Sequence, residues 1–122
     1  MIKAQQWIVR IAGLIAILIG MSFWAGPGIA PVSVHMAAGA LVALALAWLA
    51  ITAAINRVRV PVAAVALVWA IATVAVGTVQ DWWVGAGSHV LIEVVHFVLG
   101  VGAIGLAEML AAALNRKSVA AA

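Results

Sequence analysis

Four long and almost uninterrupted apolar segments dominate this chain. They run approximately over residues 8–24, 32–55, 60–78 and 89–114. Each is close to or above the ~20 residues that an α-helix needs to cross the ~30 Å hydrocarbon core of a bilayer. The segments show no alternation of apolar and polar residues, and a helix satisfies its backbone hydrogen bonds within one segment. The pattern predicts an all-α fold, a four-helix transmembrane bundle.

The composition agrees with a membrane location. Hydrophobic residues make up 69% of the chain, charged residues make up 7%, and the mean hydropathy is +1.32. A soluble core of this size cannot absorb so much apolar surface, whereas the lipid bilayer can. The sequence contains no cysteine, which excludes disulfides, thiolate ligands and covalent haem attachment. We therefore predict a single integral membrane domain over residues 1–122.

The basic residues predict the orientation of the helices. With four spans, all six fall on one side of the membrane: Lys3, Arg10, Arg57, Arg59, Arg116 and Lys117. Positive charge concentrates on the cytoplasmic side of membrane proteins. We therefore expect both termini in the cytoplasm and the bundle in the cell inner membrane. Because topology explains the high pI, we expect no nucleic-acid partner.

The second half of the chain repeats the first. The segment 24–28 recurs as 83–87, and 55–57 recurs as 114–116, both at an offset of 59 residues (24 to 83, and 56 to 115). Each half contains two apolar segments. The sequence therefore predicts two tandem two-helix repeats, over about residues 1–59 and 60–122.

Each repeat carries a histidine in its second helix. His35 lies 21 residues before Asn56, and His96 lies 19 residues before the matching Asn115. At 1.5 Å per residue, the depths of these two histidines differ by about 3 Å. His89 lies 26 residues before Asn115, which places it ~10 Å farther out than His96. His35 and His96 are therefore the matched pair.

Two imidazoles at equal depth on different helices predict a haem site. Six-coordinate haem iron takes one nitrogen ligand on each face of the porphyrin, and helix bundles build such sites from facing helices. We predict that His35 and His96 bind the iron of one haem b near the outer face of the membrane.

Several further residues are candidates for the same site. Gly39 and Gly100 lie one turn after the two histidines, where a missing side chain leaves room for the edge of a ring. Gly13 and Gly20 share a face of the first helix and are assigned the same role. Close helix packing explains membrane glycines equally well. His89 is placed where haem propionates would lie.

A non-haem metal site is an alternative. His89, Glu93 and His96 share one helix face at i, i+4 and i+7, and two nitrogens with a carboxylate suit zinc, copper or non-haem iron. A single metal held by His35, Glu93 and His96 is the form of this alternative that uses both helices.

The two carboxylates of the last helix have different expected roles. Glu93 is expected to accept the second N–H of a ligating imidazole, to stay protonated, or to shuttle protons. For Glu108, near the basic end of the chain, we predict an ion pair with Arg10 or with a basic loop residue.

The segment Ile92-Glu93-Val94-Val95-His96 resembles the Glu-x-x-His motif of heme A synthases. These membrane proteins consist of two four-helix halves with histidines on the second and fourth helices of each half, and the whole chain looks like one half. The resemblance implies that His35 and His96 bind iron and that Glu93 lies beside the reactive haem.

Three function classes remain open. We favour an electron-transferring b-type cytochrome whose partner is a quinol or another redox protein. The second class is a haem-handling protein or haem-modifying oxidoreductase, with Glu93 in the chemistry and a homodimer replacing the missing half. The third is a small transporter, but four-helix drug exporters depend on an acidic residue in the first helix, which has none here.

Overall fold

In a computed structural model, the described residues form four α-helices, which confirms the predicted all-α four-helix fold. The structure describes residues 2–83 and 89–120, and it describes side chains over residues 2–79 and 90–120. All four helices are long and apolar enough to cross a membrane, as expected of an integral membrane protein. The helices are α1 (Ile2–Ala25), α2 (Val32–Ile55), α3 (Val60–Trp83) and α4 (His89–Ala120).

The four helices cover the predicted apolar segments, and α1, α3 and α4 extend beyond them. α2 has the predicted limits, whereas α1 begins six residues before the predicted start and α4 continues six residues past the predicted end. The added turn of α4 contains Asn115, Arg116, Lys117 and Ser118. Helical hydrogen bonding continues where hydropathy falls, because polar residues at a membrane surface can still adopt helical geometry.

The connection between α1 and α2 folds back on the end of α1. The hydroxyl of Ser22 accepts a hydrogen bond from the backbone N–H of Ile29 at 3.0 Å. Gly28 has φ +81°, and an added Cβ there would lie 2.3 Å from the ring of Phe23. Only glycine combines this left-handed conformation with so close an approach. The turn thereby holds Phe23 near the start of α2.

The connection between α2 and α3 is a tight turn. The backbone N–H of Val58 donates to the carbonyl of Ala53, and that of Arg57 donates to Ala54. Arg57 and Arg59 both have positive φ, at 53° and 47°. The chain therefore reverses within a few residues.

The helices form a diamond in cross-section. α2 and α4 each contact all three other helices, whereas no contact joins α1 and α3 within the described ranges. The short diagonal thus brings together the two helices that carry His35 and His96. We call the end of the bundle with these residues the histidine end, and the end with the α2–α3 turn the basic end.

Small side chains fill the centre of the bundle, and large ones lie outside. Completely buried alanines line the contacts between helices, whereas Leu44 and Ile71 expose 68% and 70% of their surface. In a membrane, helices associate through close packing of small residues, and large apolar side chains are stable against lipid. The buried alanines are Ala50, Ala53, Ala63, Ala66, Ala103 and Ala111.

Candidate functional site

The structure brings His35 and His96 together at the histidine end. Their ring centroids lie 6.0 Å apart, and the ring planes make an angle of 64°. Both side chains are partly buried. The depth comparison based on Asn56 and Asn115 anticipated this proximity, because it placed both histidines at nearly equal height.

His35 is oriented by the main chain of α1. Its Nδ1 lies 3.0 Å from the carbonyl oxygen of Ala16, and since a carbonyl only accepts, Nδ1 carries the proton and donates. In the neutral imidazole, Nε2 then keeps its lone pair. The same hydrogen bond fixes the tautomer and ring orientation of metal-binding histidines.

Gly20 leaves room for the His35 ring beside the Ala16 carbonyl. It lies one turn after Ala16 on α1, and an added Cβ would stand 3.0 Å from Cε1 and 3.5 Å from Nδ1 of His35. A side chain at position 20 would crowd the imidazole, which would have to shift by a few tenths of an ångström. The space beside Gly20 is thus occupied by His35, where the prediction placed the edge of a haem ring.

His96 rests on a glycine in the same way. An added Cβ at Gly77 of α3 would lie 2.7 Å from Cε1 of His96. Each histidine is thus packed against a glycine of the helix that precedes it in the chain. Unlike Nδ1 of His35, Nδ1 of His96 is buried and has no hydrogen-bond partner among the residues that the structure describes. Leaving such a group unsatisfied costs about 1–3 kcal/mol.

Aromatic rings lie at the same end of the bundle as the histidine pair. Phe23 meets His35 edge to face, with centroids 5.9 Å apart, and Trp24 lies 5.9 Å from Phe97 of α4. These rings come from the end of α1 and from the residue after His96. They give the pair apolar surroundings.

The four predicted glycines divide into two groups. An added Cβ at Gly39 or Gly100 would meet no atom within 4 Å, so each position borders open space. The space at Gly13 and Gly20 is instead occupied, because an added Cβ would lie 2.7 Å from Ile104 at Gly13 and 3.0 Å from His35 at Gly20. Gly13 therefore serves the close packing of α1 on α4.

Trp69 fixes α4 against α3 below the histidine pair. Its indole N–H donates to the carbonyl of Leu99 at 2.8 Å. Gly102 makes room for this ring, since an added Cβ would lie 2.6 Å from it. Leu99 is three residues after His96, so this contact sets the position of α4 close to the site.

The carboxylates do not extend the pair into a three-ligand metal centre. Glu93 is partly buried one turn before His96, but no group of three His, Cys, Asp or Glu residues suited to a metal ion occurs in the described part of the chain. The His35, Glu93 and His96 set is therefore not gathered. The side chain of His89 lies outside the described residues, and so does its predicted role.

Glu108 lies near the basic end and forms the predicted ion pair with Arg10. The Arg10 Nε and the Glu108 Oε1 are 2.6 Å apart, and Gln6 donates to the same carboxylate. Arg10 also lies over the ring of Trp7, 5.4 Å from its centroid. Glu108 is thus compensated and belongs to the packing of α1 against α4.

The fit of the pair to a metal-centred cofactor can be judged from these contacts. An imidazole nitrogen lies about 2 Å from a bound ion such as zinc, so two ligating nitrogens stand about 4 Å apart. Ring centroids stand farther apart than the nitrogens, in keeping with the 6.0 Å separation. The open space at Gly39 and Gly100, one turn after each histidine, fits a planar group held beside the pair.

Sequence reasoning missed Gly77, Ala16 and the Trp69 contact. No motif marks them, because these contacts depend on how each helix is rotated about its axis against its neighbour.

No known protein family, curated protein or solved structure matches this chain. Function therefore rests on the geometry of the site.

Proposed function

We propose that this protein is a membrane b-type cytochrome that holds one haem b between His35 and His96 and transfers electrons. The observation that carries the proposal is the approach of these two imidazoles, from the two diagonal helices, to a centroid distance of 6.0 Å. When bound, haem supplies reversible one-electron chemistry at its iron. The protein supplies two nitrogen ligands and an apolar environment.

The ligands have different support from the protein. The Ala16 carbonyl holds His35 in one tautomer and one orientation, while Gly77 sets the position of the His96 ring. A hydrogen bond to a ligating imidazole fixes the orientation of its ring and raises its basicity. His35 is therefore the more strongly oriented of the two ligands.

The site lies close to one membrane face, which suits exchange of electrons with a partner. His35 is three residues after the start of α2, or about 5 Å along the helix axis. A quinol in the bilayer or a redox protein at its surface would reach this depth. By the positive-inside rule, the basic end is cytoplasmic in the cell inner membrane and the histidine end faces outward.

The haem content of the purified protein tests this proposal. Protein isolated from haem-replete cells should yield one haem b per chain on extraction, because one chain provides both axial ligands. Quantification of extracted haem against protein concentration measures the ratio. A value of one haem per two chains would overturn binding within a single chain and support a homodimeric site.

Glu93 supports a second candidate, a haem-modifying oxidoreductase like the heme A synthases. The observation behind it is the partly buried carboxylate one turn before His96 on α4. Mass spectrometry of the extracted haem separates the two functions. After incubation with haem O under turnover conditions, an electron carrier leaves the haem unmodified, whereas an enzyme yields an oxidised product.

A further inference from the structure

Four cationic residues lie in or next to the contact between the end of α4 and the α2–α3 turn, at one corner of the bundle. The Lys117 ammonium donates to the carbonyl of Asn56, which holds the end of α4 against the α2–α3 turn. Arg57 and Arg59 belong to that turn, and Arg116 precedes Lys117. All four cationic side chains are exposed. The sequence predicts that they share a side of the membrane, but this corner depends on the contact between α4 and the turn.

Within the described residues, no acidic partner lies beside the charge at this corner. The chain has three acidic residues, Asp81, Glu93 and Glu108. In sequence, the first two belong to the histidine end. Glu108 is already bound to Arg10 and Gln6. Like charges gathered without counter-charges attract anions.

The backbone of the turn indicates that arginine is present for its charge. Arg57 and Arg59 both adopt the left-handed conformation, which is unfavourable for residues with a Cβ and costs glycine nothing. Glycine at these positions would make the same turn with less strain. Orientation in the membrane needs only positive charge on this side, which unstrained positions such as Lys3 supply equally well.

An apolar groove lies above the same turn. It occupies about 390 Å³ between α2 and α3 and is lined entirely by apolar residues. Ala47, on its wall, is nine residues before Asn56, or about 14 Å along the helix. One leaflet of the hydrocarbon core is about 15 Å thick. Lining residues such as Ala43 and Ala75 lie about 20–24 Å from the turn, so an acyl chain whose headgroup lies at the turn reaches only the near end of this groove.

We propose that the corner formed by Arg57, Arg59, Arg116 and Lys117 binds the headgroup of an anionic phospholipid, whose acyl chain lies along α2 and α3 and reaches the near end of the groove. Juxtamembrane clusters of Lys and Arg recognise anionic headgroups through charge. The binding is independent of haem, since it uses the opposite end of the bundle.

Native mass spectrometry of the detergent-purified protein with phosphatidylglycerol and with phosphatidylcholine tests the proposal. The wild-type protein should prefer phosphatidylglycerol. An Arg57→Gly/Arg59→Gly variant should lose affinity for it by roughly tenfold to thirtyfold, while its unfolding midpoint in zwitterionic detergent stays at or above the wild-type value. The matched control Lys3→Gln removes a basic residue from the same side but from outside the corner, and it should keep the preference.

Three results would overturn the proposal: equal binding of the two lipids by the wild type, retained preference in the double glycine variant, or an equal loss in Lys3→Gln. A short-chain phosphatidylglycerol should bind more weakly than the full-length lipid. Equal affinity for both chain lengths would remove the groove from the site, and binding of inorganic phosphate as tight as the lipid would identify a free anion as the ligand.

Discussion

Purified His35→Ala and His96→Ala variants should each lack the low-spin haem bands of the wild-type protein. Loss of either imidazole removes one of two strong axial ligands, so the haem becomes five-coordinate or is lost. His89→Ala is the matched control, since His89 is the third histidine of the chain and lies ~10 Å nearer the start of α4 than His96. It should retain a low-spin spectrum with shifted bands.

Absorbance spectra of the three variants, normalised to protein concentration, measure this effect. Helix content by circular dichroism should match the wild type in all three, which separates ligand loss from misfolding. Added free imidazole should restore low-spin bands where haem is retained, because it occupies the position of the missing ligand. An equal loss of the bands in His89→Ala would show that the ligand pair is wrong.

Substitutions at glycines should affect the site according to what surrounds each position. In Gly77→Ala, the new Cβ would lie 2.7 Å from Cε1 of His96, which must move. Overpacking of this kind costs about 1–3 kcal/mol. We expect Gly77→Ala to displace the His96 ring, to shift the haem toward the high-spin state and to lower haem occupancy severalfold.

A second glycine pair tests the position of the haem itself. Gly100 and Gly105 both border open space on α4, so leucine at either position meets no protein atom close to its Cβ. Gly100 lies one turn after His96, where the ring edge is proposed, whereas Gly105 lies farther along the helix. Gly100→Leu should lower the haem-to-protein ratio and Gly105→Leu should not. Equal ratios in these two variants would exclude the haem from the space beside Gly100.

The relative heights of residues along the bundle follow from the sequence. Apolar length predicts where each helix lies, and the matched Asn56 and Asn115 set the relative heights of His35 and His96. The Arg10–Glu108 pair follows from the same reasoning, because a carboxylate near basic residues in an apolar segment needs a partner. These properties depend on distance along a helix, which residue number gives directly.

The rotation of each helix about its axis does not follow from the sequence. A helix that is apolar around its whole circumference carries no stripe to show which face is buried. The packing of small residues decides the rotation instead. For this reason the contact of Gly77 with His96 could not be predicted, and the packing of Gly13 against Ile104 was not separable from a role beside a cofactor. The hydrogen bond from His35 to Ala16 involves a main-chain carbonyl, which every residue possesses.

The optical spectrum of the purified wild-type protein, recorded oxidised and then reduced, tests the haem site most directly. Ligation by His35 and His96 predicts the sharp visible bands of a low-spin haem with two imidazole ligands on reduction. A colourless, haem-free protein from haem-replete cells would contradict the proposed function.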